Sequence, residues 1–206
     1  MKTIDLSLYL VTDKSDDVEK FLKTIEDAIK GGVSVVQIRE KTAETLDFYN
    51  LALKVKEITT KYNVPLIIND RVDIALAIDA DGVHVGQSDM PCEVTRKLIG
   101  TDKILGVSAA TITEAKKAQK DGADYIGTGA VFPTATKDNA PSITKQNLKE
   151  IVESIDIPVV AIGGINNDNA SELTDTGIAG LSVVSAIMSA DDPKKASEEL
   201  LNIFNN

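Results

Sequence analysis

Short apolar segments of strand length alternate with amphipathic segments along the whole chain. β-Branched residues dominate the apolar segments, as is typical of β-strands that are buried on both faces. The eight segments span residues 8–11, 33–38, 65–68, 82–85, 104–107, 125–127, 158–162 and 180–184. We therefore predict eight strands, each followed by a polar loop.

Helical periodicity fills most of the intervals between these strands. From Val18 to Ile29 apolar residues recur every three or four positions; Asp16 is the expected N-cap, and Gly31-Gly32 predicts the end of the helix. In the second helix, Leu46, Tyr49 and Leu53 are expected to form the buried face. Shorter or weaker helical patterns cover residues 72–78, 91–99, 113–120, 144–154, 168–175 and 193–204.

The alternation of strands and helices predicts an α/β fold with a parallel sheet covered by helices. Eight units in 206 residues favour a single (βα)8 TIM barrel over residues 1–206. A doubly wound open sheet is the alternative that the pattern leaves open.

Composition narrows the class of protein. Apolar residues make up 43% of the chain, enough for a substantial core, and the formal charge of −10 argues against a nucleic-acid-binding surface. Cys92 is the only cysteine, so an intrachain disulfide is not possible. We find neither the apolar core of a signal peptide near the start nor an apolar run of membrane-spanning length, and therefore expect a soluble, cytoplasmic protein.

Polar residues gather where the strands of a barrel would end, which is where barrel enzymes build their active sites. The two-residue period of the second strand places Gln37 and Arg39 on one face, and an inward Arg39 needs an anionic partner. The alternative is a solvated strand end at which Arg39 pairs with Glu40 or Glu44.

Two carboxylates follow neighbouring strands. Asn69-Asp70 ends the third strand, and Asp89 follows the fourth. Together Asp70 and Asp89 could bind Mg²⁺, which takes one or two carboxylates and completes its shell with waters and substrate phosphates. Helix capping by each aspartate is the alternative, and for isolated aspartates it is the more frequent role.

The loops after the sixth, seventh and eighth strands suit an anion. Residues 129–137 form a Thr-rich loop that ends in Lys137, while Gly163-Gly164 and Val184-Ser185 lie where barrels commonly build phosphate sites. His84, the only histidine, lies inside the fourth strand, where a structural role is favoured over a catalytic one.

Taken together, these segments resemble the thiamine phosphate synthase family, and the match covers nearly every strand end in order. The matching stretches are residues 9–13, 36–41, 68–71, 82–89, 106–108, 132–137, 161–165 and 184–187. One departure is Ala130, where the family pattern leads us to expect proline. Members of this family join hydroxymethylpyrimidine diphosphate to thiazole phosphate, forming thiamine phosphate and releasing diphosphate.

The resemblance implies a set of substrate-binding positions and a magnesium cofactor held by Asp70 and Asp89. The implied substrate-binding residues are Gln37, Ile38, Arg39, Glu40, Lys41, Asn69, Ser108, Thr134, Ala135, Thr136, Lys137, Gly164, Val184 and Ser185. Of these, Arg39, Lys41, Ser108 and Lys137 are expected to act in catalysis.

Two other functions compete with this interpretation. A thiazole tautomerase on the same barrel would share the thiazole phosphate pocket but would not need Arg39, Lys41, Asp70, Asp89 and Lys137. A phosphate-ligand sensor without enzymatic activity would bind the ligands and release no diphosphate. The sequence carries no prediction of oligomeric state.

Overall fold

Eight parallel strands pair in sequential order, and the last pairs with the first to close a barrel in the computed structural model, which describes residues 4–134 and 142–206. This confirms the predicted (βα)8 barrel and excludes the doubly wound sheet. The strands are β1 Leu8–Val11, β2 Val35–Ile38, β3 Leu66–Asn69, β4 Gly82–Val85, β5 Ile104–Ser108, β6 Tyr125–Thr128, β7 Val159–Ile162 and β8 Gly180–Val183.

Helices cover the outside of the barrel. Within the described residues they are α1 Val18–Lys30, α2 Thr45–Tyr62, α3 Val72–Ala77, α4 Cys92–Ile99, α5 Ile112–Lys120, α6 Lys145–Glu153, α7 Ser185–Met188 and α8 Pro193–Asn205. A single 3₁₀ turn at Ala170–Leu173 takes the place of the α-helix expected over 168–175, and the short α7 was not predicted. Within the described ranges, no helix combines the length and apolarity that a membrane-spanning segment requires.

Alternating side chains divide the core into two layers. Outward residues such as Val36 and Ile38 pack against the helices, whereas inward residues such as Tyr9, Val35 and Tyr125 fill the barrel. The polar groups described below project from the same inward face.

Two details of the helices differ from expectation. Asp17, and not Asp16, caps α1 by accepting a hydrogen bond from the Lys20 amide at 3.0 Å. In α2 the buried face carries Phe48 and its neighbours one and two turns later, while Leu46 is 68% exposed. The residues at helical spacing from Leu46 and those at helical spacing from Phe48 form two apolar faces of α2. The face with the Phe48 ring is the buried one, because burial of a large aromatic ring is strongly favourable.

Candidate active site

A cavity of about 560 Å³ opens at the carboxyl end of the barrel. Residues from the inward faces of the strands form its floor, and the loops that follow the strands form its walls. Eleven of the residues expected in the site line it, and they come from seven strands or the loops after them: Gln37, Arg39, Lys41, Asn69, Asp70, Asp89, Ser108, Thr134, Gly164, Val184 and Ser185.

The other predicted positions are placed differently. The Ile38 side chain is buried in the outer layer, so a contact with substrate would have to use its backbone. The Glu40 carboxylate accepts hydrogen bonds from the Thr42 and Ala43 amides at 2.7 and 3.1 Å. Burial alone would raise the pKa of Glu40, but these backbone hydrogen bonds hold it below its usual value. Ala135, Thr136 and Lys137 lie outside the described residues.

Arg39 presents a positive charge to the cavity. Its side chain is half-buried, and its guanidinium has no hydrogen-bond or ion-pair partner among residues 4–134 and 142–206. The alternative in which Arg39 pairs with Glu40 or Glu44 is therefore not observed in that part of the chain. A half-buried guanidinium that faces a cavity favours an anionic ligand there.

Asp70 and Asp89 lie side by side at the mouth of the cavity. Burial raises the pKa of Asp70 above its usual value, and contact with the Asp89 carboxyl raises it further, although the neighbouring Lys41 ammonium, which pairs with Asp70, opposes the shift. Asp89 Oδ2 also accepts a hydrogen bond from the Gly86 amide at 2.8 Å, which closes the turn after β4.

Neither aspartate caps a helix. The N-cap position of α3 is Arg71 and that of α4 is Pro91, and neither helix has a side-chain capping hydrogen bond. Asp70 instead has a left-handed backbone with φ of 61°, and its amide donates to the His84 carbonyl at 2.8 Å. In the described part of the chain, no group of three or more His, Cys, Asp or Glu residues is arranged to hold a metal ion. The pair thus forms a two-carboxylate donor set, which suits a hydrated Mg²⁺.

Asn69 supplies a side-chain hydrogen-bond donor next to this pair. Its side chain is 8% exposed, and its Nδ2 atom has no hydrogen-bond partner among the described residues. An unpaired buried amide is costly, so this atom favours a ligand that brings an acceptor such as a phosphate oxygen.

The opposite wall is built from the loops after β6, β7 and β8. Gly163 and Gly164 have φ values of 103° and 68°, and a Cβ on Gly164 would lie 2.5 Å from the Pro133 carbonyl oxygen. Only glycine allows this approach of the two loops without strain. Asn169 Nδ2 donates to the Gly164 carbonyl at 2.9 Å and fixes the turn beside Thr134, which lines the same cavity.

Sequence reasoning missed the residues on the floor of the cavity. Tyr9 and Tyr125 are buried there, and their hydroxyl oxygens are 2.6 Å apart. Tyr9 accepts a hydrogen bond from Gln37 Nε2 at 2.6 Å, and Tyr125 lies 3.0 Å from His84 Nδ1. His84 Nε2 is 2.8 Å from Ser108 Oγ. The two-residue period of β1 and β6 would have pointed both tyrosines inward, but it gives no indication that their hydroxyls meet.

Comparison with known proteins agrees with this geometry. The family model described as thiamine monophosphate synthase matches residues 8–187. A thiamine-phosphate synthase of Methanobrevibacter smithii is 74% identical over 204 residues, covering 99% of this chain and 98% of the relative, and one of Alkaliphilus oremlandii is 58% identical over 201 residues, covering 96% and 95%. The solved structure of a thiamine phosphate pyrophosphorylase from Pyrococcus furiosus superposes with a TM-score of 0.87 at 43% identity, covering 98% of this chain and 96% of that one. The chain therefore belongs to the thiamine monophosphate synthase family.

Proposed function

We propose that the protein is a thiamine-phosphate synthase, a transferase that joins hydroxymethylpyrimidine diphosphate to thiazole phosphate and releases diphosphate. The observation that carries this proposal is that one cavity gathers the Asp70–Asp89 pair with Arg39 and the Asn69 amide, neither of which has a partner among the described residues. A site for thiazole phosphate alone would need neither the carboxylate pair nor the cations beside it, which disfavours the tautomerase.

The charges in the cavity are balanced only when metal and diphosphate are both bound. A diphosphate carries about three negative charges and Mg²⁺ two positive ones, while Asp70 and Asp89 contribute minus two. Arg39, Lys41 and Lys137 contribute plus three, where Lys137 enters from the family resemblance. The protein's own groups leave a surplus of about one positive charge, which matches what the metal–diphosphate pair lacks.

Asp70 and Asp89 would hold Mg²⁺, which when bound supplies Lewis-acid stabilisation to the departing diphosphate. Arg39 and Lys41 then donate charge-assisted hydrogen bonds to diphosphate oxygens, and the Asn69 amide gains an acceptor that none of the described residues supplies. Because these donors are held in place by the barrel before the reaction, they stabilise the negative charge as it develops.

The bond changes need no protein base. The carbon–oxygen bond between the pyrimidine methylene and diphosphate breaks, and its electron pair leaves with diphosphate. The lone pair of the thiazole ring nitrogen then forms the new carbon–nitrogen bond, so no proton has to be removed. This agrees with a cavity whose only histidine, His84, is engaged at both ring nitrogens.

The direct test is incubation of the purified protein with both substrates, with and without Mg²⁺, followed by detection of thiamine phosphate and diphosphate by mass. We expect product only in the presence of the metal. Binding of both substrates without product would support a sensor and overturn the proposal.

Arg39→Gln should lower turnover by about 10²- to 10³-fold, as expected for the loss of one preorganised charge. Arg71→Gln is the matched control, since it also removes one guanidinium but one that pairs with Asp73 at 2.7 Å and lies outside the lining of the cavity. Equal effects of the two substitutions would remove Arg39 from the diphosphate site.

A further inference from the structure

A continuous chain of hydrogen-bonded side chains crosses the floor of the cavity from Gln37 to Ser108. The successive distances are 2.6 Å from Gln37 Nε2 to Tyr9 Oη, 2.6 Å between the two tyrosine hydroxyls, 3.0 Å from Tyr125 Oη to His84 Nδ1 and 2.8 Å from His84 Nε2 to Ser108 Oγ. All five residues line the cavity, and the family resemblance implies that Gln37 and Ser108, at the two ends of the chain, contact the pyrimidine diphosphate.

Each inner member of the chain has one proton to donate. Tyr9 and Tyr125 are fully buried, and burial raises the pKa of both phenols above the ordinary value, so they remain protonated. A neutral imidazole at His84 likewise carries one ring proton, on either nitrogen. Each hydrogen bond in the chain has a donor, and each of these three inner protons has an acceptor within the chain, only if all the donors point in the same direction.

The two possible directions give the ends of the chain opposite polarities. When Gln37 donates to Tyr9, the Tyr9 hydroxyl donates to Tyr125 and Tyr125 donates to Nδ1 of His84. His84 Nε2 then donates to Ser108, whose own proton is left for a ligand. In this state the Gln37 carbonyl oxygen, to which none of the described residues donates, is also left for a ligand. If the chain reverses, Gln37 offers an N–H group to the ligand and Ser108 offers a lone pair.

We propose that Tyr9, Tyr125 and His84 are positioning residues that couple the hydrogen-bonding polarity of Gln37 to that of Ser108. The site then always offers one acceptor and one donor to a heteroaromatic ring, never two donors. This proposal rests on the proposed function, in which the ring is an aminopyrimidine. Its exocyclic amino group donates and its ring nitrogen accepts, which matches the direction in which Gln37 donates to Tyr9.

Strand register makes room for this chain. Residue 106 on β5 pairs with His84 on one side and with Tyr125 on the other. Residue 106 is glycine, and a Cβ there would lie 2.1 Å from the Tyr125 ring and 2.5 Å from His84 Nδ1. The missing side chain lets the two rings meet across β5. Since the gap is shaped to the ring, Tyr125→Phe should keep the packing and remove only the hydroxyl.

The test compares the natural aminopyrimidine diphosphate with an analogue that carries a methoxy group in place of the amino group, which leaves the ring nitrogen unprotonated. The analogue offers acceptors at both positions, so neither direction of the intact chain satisfies it. In Tyr125→Phe, Gln37 is the one partner left to the Tyr9 hydroxyl among the described residues. The hydroxyl then donates to the Gln37 carbonyl oxygen, which turns the amide N–H toward the ligand. Ser108 can still donate, so both ends become donors.

We expect Tyr125→Phe to lower kcat/KM for the aminopyrimidine substrate by about tenfold, the scale of one unsatisfied hydrogen bond. The ratio of kcat/KM for this substrate to kcat/KM for the analogue should fall by at least about tenfold. KM for thiazole phosphate should not change. Tyr62→Phe is the matched control, because it removes a hydroxyl that donates to Glu26 at 2.8 Å, outside the lining of the cavity. Tyr9→Phe should also reduce the preference for the aminopyrimidine substrate over the analogue, since it removes the hydroxyl that orients the Gln37 amide.

The outcomes separate this inference from the proposed function. A parent protein that forms no thiamine phosphate would refute the function. If the parent is active, and folded Tyr125→Phe and Tyr9→Phe show the parent's preference for the aminopyrimidine substrate over the analogue, the coupling is refuted. If Tyr125→Phe raises the KM of the aminopyrimidine diphosphate and the KM of thiazole phosphate by the same factor, the chain of hydrogen bonds supports only the fold, and the proposed coupling is wrong.

Discussion

Replacing Asp70 with Asn should separate the stability of the free protein from its stabilisation by metal. Burial and the neighbouring Asp89 both disfavour the ionised Asp70, as its raised pKa shows. Asn removes that charge, and it tolerates the left-handed φ of 61° at this position. Without Mg²⁺, we expect the melting temperature of Asp70→Asn to be equal to or above that of the parent.

With Mg²⁺ and inorganic diphosphate present, the order should reverse. At 100 times the dissociation constant, a ligand stabilises the folded state by about 2.7 kcal/mol. For a chain of this size that corresponds to an increase in melting temperature of about 5 to 11 °C. If the loss of one carboxylate weakens binding by about a hundredfold, the same ligand concentration leaves about 0.4 kcal/mol, or about 1 to 2 °C.

Differential scanning fluorimetry with and without Mg²⁺ and diphosphate measures both effects, and a turnover assay on the same samples completes the comparison. Asp16→Asn is the matched control, because it removes one exposed carboxylate outside the lining of the cavity. A full ligand-induced shift in Asp70→Asn would refute the assignment of Asp70 as a metal ligand. A marked drop in melting temperature without ligand would show that its charge stabilises the fold.

Three other substitutions test separate parts of the molecule. Lys137→Ala should lower turnover by about 10²- to 10³-fold, and an unchanged rate would remove Lys137 from the site. Thr128→Val should raise the unfolding free energy by about 1 kcal/mol in urea titrations, because Thr128 Oγ1 is buried and has no partner among the described residues; a loss of stability would contradict this. Hydrogen bonds from Lys61 and Tyr62 lower the pKa of Glu26 from 4.5 to about 2, so its contribution is present above pH 4.5 and disappears as the pH falls toward 2. The stability difference between the parent and Glu26→Gln should therefore shrink over that interval, and a constant difference would argue against this ion pair as its source.

The sequence predicted the barrel because its strands are buried on both faces and therefore appear as uninterrupted apolar runs. The predictions were less accurate where two solutions have similar hydrophobic patterns. In α2 the stripe that begins at Leu46 and the stripe that begins at Phe48 are both apolar, and only packing distinguishes them. The turn at Ala170–Leu173 has too few residues to establish a helical period.

Most residues expected in the site line one cavity, because parallel strands bring their carboxyl ends to the same end of the barrel. Whether Asp70 caps a helix could be decided only from the backbone, since its left-handed conformation and its contact with Asp89 exclude a cap. Tyr9 and Tyr125 have the appearance of ordinary core residues in the sequence. Their polar role arises from partners more than 25 positions away along the chain, which no local pattern encodes.

The chain of hydrogen bonds on the cavity floor also ties the two halves of the barrel together. Gln37, Tyr9 and His84 belong to the first four strands, whereas Tyr125 and Ser108 belong to the last four. Three of the four hydrogen bonds therefore cross from one half to the other. A fragment that comprises the first four strand–helix units would contain both Asp70 and Asp89 but would leave the Tyr9 and His84 side chains without these partners. Two separately expressed halves should thus recover selectivity for the pyrimidine ring only when they reassemble in native register.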